Sequence, residues 1–137
     1  MSLTILGLSA ESANDNVAAN ALWPLTAIDT EAIRFIMSQE TRSTSRTADI
    51  MALAAVSMLR RPARSYTCVE RRCATADGLS GQFEIDEVVL RRDEGYTSEQ
   101  ISKFASVPAI DVTPDFFVPD YVYAEVAELK TLGASRL

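Results

Sequence analysis

There is no histidine among the 137 residues, which removes the commonest general base near neutral pH and the commonest metal ligand. Cys68 and Cys73 are the only cysteines, too few to close a four-ligand zinc site and without the tight spacing of a redox pair. Five glycines are scattered at turns and helix ends, so the chain has no glycine-rich loop to cradle phosphate. No apolar run is long enough to span a bilayer, and the apolar start, Leu3 to Leu8, has no Lys or Arg ahead of it as a secretory signal requires. Together these absences predict a cytoplasmic protein with reduced thiols, no metal, no cofactor and no enzymatic activity. Asp86, Glu87, Asp93 and Glu94 form an acidic cluster, but adjacent helical residues point in different directions, and the cluster reads as a solvated face.

What is present describes one folded domain. Apolar residues make up 47% and charged residues 23% of the chain, the balance of an ordinary globular protein. The net charge of −6 is unevenly spread: residues 1–33 carry −4, residues 34–72 carry +5 through eight arginines, and residues 73–137 carry −7. A basic middle between acidic ends is either a surface for an acidic partner or the internal counterpart of the acidic C-terminal half. Internal pairing is the preferred expectation.

The pattern predicts a mainly α domain of about five helices over residues 27–137, preceded by a flexible lead-in over residues 1–26. Trp23, the single tryptophan, is expected to pack that lead-in onto the domain. A first helix is read from about Thr30 to Gln39, with Asp29 as N-cap, Ile28 and Ile33 as a hydrophobic staple, and Ile33, Ile36 and Met37 as its stripe. A polar hinge, Thr41 to Ser45, leads to a helix from about Arg46 to Arg61. Its apolar residues surround most of the circumference, which predicts the most buried element of the fold, and Met51 and Met58 read as core filler. Tyr66 and Cys68 lie in a stretch that permits a short strand, and a β-hairpin between residues 65 and 86 is the alternative to helix there. The last helix is read from Tyr121 to Leu132, capped by Asp120, striped by Val122, Val126 and Leu129, and ended by Gly133.

The stretch Ile85 to Val112, IDEVVLRRDEGYTSEQISKFASVPAIDV, carries a local motif. Glu84 to Asp93 reads as a helix ended by Gly95, and Thr97 caps a second helix whose inward residues are Ile101, Phe104 and Ala105. Ser102, Ser106, Val107 and Val112 stand where a helix-turn-helix places its small residue, its turn and its locking apolar pair. Residues 84–112 therefore resemble a helix-turn-helix DNA-binding domain, and the resemblance implies a dimeric transcriptional regulator. The stretch departs from that pattern in its third helix. It opens at Pro108, meets Pro114, and offers Asp111 and Asp115 to the DNA with no cation.

Two functions follow. The preferred one is a small non-enzymatic regulatory or adaptor protein that binds a protein partner or its own copy through Phe116, Phe117, Tyr121 and Tyr123. The alternative is DNA binding, with phosphate contacts from Arg60, Arg61, Arg64, Arg71, Arg72, Arg91 and Arg92, where the basic charge is concentrated.

Overall fold

Two strands that lie far apart in the sequence run side by side in the computed structural model, which describes residues 4–5, 7–8, 11, 15, 17, 19–37, 39–62, 83–115 and 118–134. Strand β1, Ala21–Trp23, pairs in parallel with β2, Phe83–Ile85, in the register Ala21 to Phe83, Leu22 to Glu84 and Trp23 to Ile85. Among the described residues six α-helices accompany them: α1 (Glu31–Ile36), α2 (Gln39–Ser43), α3 (Asp49–Leu59), α4 (Asp86–Glu94), α5 (Ser98–Ser102) and α6 (Asp120–Ala134). A single 3₁₀ turn, Ala109–Asp111, interrupts the connection between α5 and α6. The mainly α expectation stands, with a parallel strand pair added to it.

Helix α4 is the centre of the molecule. All of its first five residues, Asp86 to Leu90, are buried. Val88 faces a cluster with Leu25, Ile85, Val118, Val122 and Val126, on which Trp23, Tyr123 and Leu129 pack. Val89 and Leu90 face a second cluster with Ile28, Ile50, Ala54 and Ile101. The helix is thus flanked by α6 on one side and by α3 with α5 on the other. Strands buried on both faces read as continuous apolar runs, and the run Phe83 to Leu90 is broken by three carboxylates, Glu84, Asp86 and Glu87.

Several expectations are corrected. The Arg46–Arg61 helix is shorter and one-sided: Ile50, Ala54 and Ser57 are buried, while Leu53 and Val56 are exposed and Leu59 is 85% exposed. Its alanines kept the apolar count high around the circumference without demanding cover, so α4 is the most buried element instead. The helix read from Glu84 begins at Asp86, because residues 83–85 are taken by the strand. That strand pairs with residues 21–23, so part of the lead-in belongs to the fold; the other arm of the alternative hairpin, residues 65–70, lies outside the described residues. The first three residues of the polar hinge, Thr41 to Ser43, belong to the short helix α2. The cap of α1 is Thr30, whose hydroxyl accepts from the Ile33 amide at 3.4 Å, while Asp29 bonds Arg42 at 3.1 Å. Of the α1 stripe, Ile33 and Met37 are half-buried but Ile36 is 80% exposed, as is its neighbour Phe35 at 86%.

Other local readings agree, except that Asp120 is the first residue of α6 rather than its cap and the helix continues through Gly133 to Ala134. Trp23 packs against the first cluster, and Val122, Val126 and Leu129 form the inward stripe of α6. Gly95 ends α4 with a φ of 72°, a left-handed conformation that only glycine adopts without steric cost. Thr97 caps α5 in a reciprocal box with Gln100. From the burial pattern, Ile50→Ala is expected to cost about 2–5 kcal/mol, and Leu59→Ala less than about 0.5 kcal/mol. Urea unfolding of the two variants checks this.

Candidate functional site

The segment leaving β1, residues 24–30, is held from several directions. The Leu25 amide donates to Asp86 Oδ1 at 2.9 Å. The Ala27 amide donates to the Thr113 carbonyl at 2.9 Å, and the Asp29 amide to the Arg46 carbonyl at 2.8 Å. In return the Ala27 carbonyl accepts from the Arg46 amide at 2.9 Å, and the Leu25 carbonyl from the Asp115 amide at 3.2 Å. The Tyr123 hydroxyl adds a bond to the Leu25 carbonyl at 3.3 Å. Proline 24 fixes the chain's direction as it leaves the strand, and alternate residues then face opposite sides.

This segment lies at the carboxyl end of a parallel strand, where open α/β sheets form ligand crevices. At the neighbouring strand's carboxyl end, α4 starts at once with Asp86 and Glu87. Asp86 Oδ1 also accepts from the Glu87 amide at 2.6 Å, so one carboxylate oxygen joins the first turn of α4 to the exit of β1.

Glu87 is 1% exposed and carries the densest ionic contacts. Arg46 reaches its Oε2 at 2.7 Å and Arg91 its Oε1 at 2.7 Å, with the Lys130 ammonium at 3.9 Å. Burial alone drives the Glu87 carboxyl upward, but Arg46 and then Arg91 outweigh it and hold the group below its ordinary value. Asp86 goes the other way. Burial pushes it up to about 6, against the bonds from the Leu25 and Glu87 amides and the charge of Arg46. Two adjacent carboxylates therefore differ in character because the arginines approach only one of them closely.

These were the residues read as a solvated face in the sequence, and that reading is corrected for Asp86 and Glu87. The available signal was their position between Ile85 and the apolar run Val88, Val89 and Leu90, which leaves no polar flank. Arg46, in a run of Ser and Thr, gave no comparable sign.

The described residues assigned to phosphate contact are mostly paired within the chain. Arg91 is spent on Glu87, and Arg92 on Glu84 at 2.9 Å and Asp93 at 3.0 Å. Arg61 donates to the Asp93 carbonyl at 2.8 Å and lies 3.9 Å from Glu94. Arg61, Arg91 and Arg92, three of the candidate nucleic-acid contacts, are thus each engaged within the chain. Arg60 is exposed, and Arg64, Arg71 and Arg72 lie outside the described residues. The aromatic set divides as well: Tyr121 is exposed, Tyr123 is part of the core edge, and Phe116 and Phe117 lie outside the described residues. Among the described residues no group of acidic or cysteine side chains is arranged to hold a metal ion, and no helix is long and apolar enough to cross a membrane.

The ionic arrangement sets two expected outcomes. Arg46→Ala leaves Glu87 buried with one close partner fewer and is expected to destabilise the fold by about 3–5 kcal/mol, measured by chemical denaturation. Asp86, raised in the folded state, contributes stability that is full below its ordinary value of 3.8 and is lost as pH rises through about 6. The advantage of the native chain over Asp86→Asn is therefore expected to shrink between pH 4.5 and pH 7, by an amount on the order of 2 kcal/mol. A pH series of denaturation curves checks the sign.

No family model matches the chain. It is 35% identical over 134 residues to hydroxysteroid dehydrogenase-like protein 2 of Homo sapiens, covering 98% of this chain and 28% of that protein. The same protein of Rattus norvegicus is 36% identical over 128 residues, with 93% of this chain and 21% of that protein covered. Among solved structures, a "putative dehydrogenase from Xanthomonas campestris" superposes with a TM-score of 0.66 at 37% identity, over 88% of this chain and 38% of that one. The chain thus spans under a third of the length of these curated relatives, and it is similar in both sequence and backbone to one portion of dehydrogenase-named proteins.

Proposed function

We propose that this chain is a dehydrogenase-related unit, one portion of a hydroxysteroid dehydrogenase-like fold that works in contact with the remainder of such a fold. The observation that carries the reading is the agreement over most of the chain, in sequence at 35% identity with a hydroxysteroid dehydrogenase-like protein and in backbone at 37% identity with a putative dehydrogenase. The parallel strand pair supports it. Parallel strands belong to larger sheets covered by helices on both faces, and β1 and β2 supply two of them.

The reaction class is then oxidation of an alcohol or reduction of a ketone by hydride transfer, on an apolar substrate of the steroid type. Residues 24–30 lie at the carboxyl end of β1, where ligand crevices form in open α/β sheets, and α1 follows them with Phe35 and Ile36 exposed, an apolar flank suited to such a substrate. Dehydrogenases take their hydride chemistry from a dinucleotide cofactor. The described residues next to this segment do not form a grip for its phosphates: Arg42 is engaged by Asp29 and Arg46 by Glu87, and the sequence has no glycine-rich phosphate loop. No step of the reaction is assigned to these side chains on its account. The protein-contact role expected from the sequence is retained in this form, with the remainder of the fold as partner.

Replacing the matching 134-residue segment of the human relative by this chain tests the reading. The chimera is expected to fold and to oxidise hydroxysteroids with a nicotinamide dinucleotide, followed by absorbance of the reduced cofactor. A chimera with a native-like circular dichroism spectrum that neither binds the dinucleotide nor turns over would overturn the proposal.

A further inference from the structure

Helix α3 buries Ile50, Ala54 and Ser57, and the first two of these join the second apolar cluster. Its opposite face is apolar as well. Leu53, Val56 and Leu59 are 39%, 40% and 85% exposed, and Ala52 is exposed beside them. A helix that is apolar all round is ordinarily covered all round, and this chain leaves the outer face of α3 to solvent.

Two charges bracket that face. Asp49 is the first residue of α3, and Arg60 continues its helical backbone with a φ of −75° and a ψ of −14°. Both are exposed, and neither side chain has an ionic partner among the described residues. At 3.6 residues per turn, Asp49, Leu53, Val56 and Arg60 fall within an arc of about 60°. Their intervals of four, three and four residues are those of a coiled-coil seam. Along the helix the seam reads acid, apolar, apolar, base, with Ala52 and Leu59 on its flank.

That order selects the occupant. A partner of one charge sign would meet a like charge at one end of the seam. A second copy laid parallel would set Asp49 against Asp49 and Arg60 against Arg60. Laid antiparallel about a two-fold axis, it sets Asp49 of each copy against Arg60 of the other and Leu53 against Val56. Both pairs are centred on the same point, between Ala54 and Ala55, so the seam is complementary to itself as an isologous contact requires. We infer that α3 is a self-association surface, on which two copies of this chain pair antiparallel through Asp49, Leu53, Val56 and Arg60. Its 11 residues make a helix about 16 Å long, so the contact belongs at the weak end of specific interfaces. The inference stands on α3 alone and is independent of the reaction proposed above.

The test is sedimentation equilibrium of the full chain from about 5 to about 500 µM, the range in which a weak interface dissociates. The native chain is expected to move from its 15.0 kDa monomer toward twice that mass. Asp49→Arg and Arg60→Asp each set like charges against one another at both ends of the pair, and each is expected to weaken it about ten-fold or more. The double variant Asp49→Arg/Arg60→Asp restores both opposite-charge contacts and is expected to associate as the native chain does. Circular dichroism checks that every variant is folded. The double variant carries the local helix cost of both changes, so its recovery separates loss of the contact from loss of the fold. A native chain that stays monomeric throughout, a dimer that the single changes leave intact, or a double variant as weak as the single ones would each overturn the inference.

Discussion

The ion pair between Arg46 and Glu87 is the interaction around which the rest is arranged. A carboxylate in the first turn of a buried helix is expensive to desolvate, and its attraction to one arginine at 2.7 Å roughly offsets that cost without a clear surplus. The second arginine, Arg91, lies one turn along the same helix and gives Glu87 a partner that helix geometry alone provides. What the Arg46 contact adds is position. It fixes the segment before α3 against α4, and through the Arg46 backbone it also fixes residues 27–29.

That arrangement explains how a sheet of two short strands is held. Three residue pairs of parallel ladder contribute little alone, and isolated two-stranded sheets are marginal in water. Here Asp86, directly after β2, accepts from the amide two residues past β1, so the strand ends are bonded by a side chain where the ladder stops. The two apolar clusters then close over opposite sides of α4. Strand pairing, the carboxylate bond and the helix contacts are mutually dependent.

How much of this was legible in the sequence follows from which signals were local. Gly95 ending α4, Thr97 capping α5 and the Val122, Val126 and Leu129 stripe of α6 each depend on residues within a few positions, and each is found in the structure. The internal pairing of the basic middle with the acidic half is seen in Arg46 with Glu87 and Arg61 with Glu94, because opposite net charges in adjacent segments bias the packing. The parallel pairing was not legible. Ala21 to Trp23 is three residues long and its partner begins at Phe83, and neither periodicity nor turn chemistry connects segments so distant. The burial of Asp86 and Glu87 was missed for the same reason: the neutralising arginine comes from another part of the chain.

The same distinction governs the function. Reading catalytic groups residue by residue in the sequence leads to a non-enzymatic chain, because histidine is absent and the acidic cluster reads as a solvated face. A dehydrogenase, however, distributes its work over a whole sheet, with the dinucleotide and the reacting alcohol gripped at the carboxyl ends of several strands. A portion holding two strands carries the geometry of that edge without the complete chemical apparatus. On the proposed reading, the absence of acid–base and phosphate-binding motifs describes the portion rather than the fold. The unusually well-anchored residues 24–30 are then the part of this chain whose placement bears most directly on the reaction.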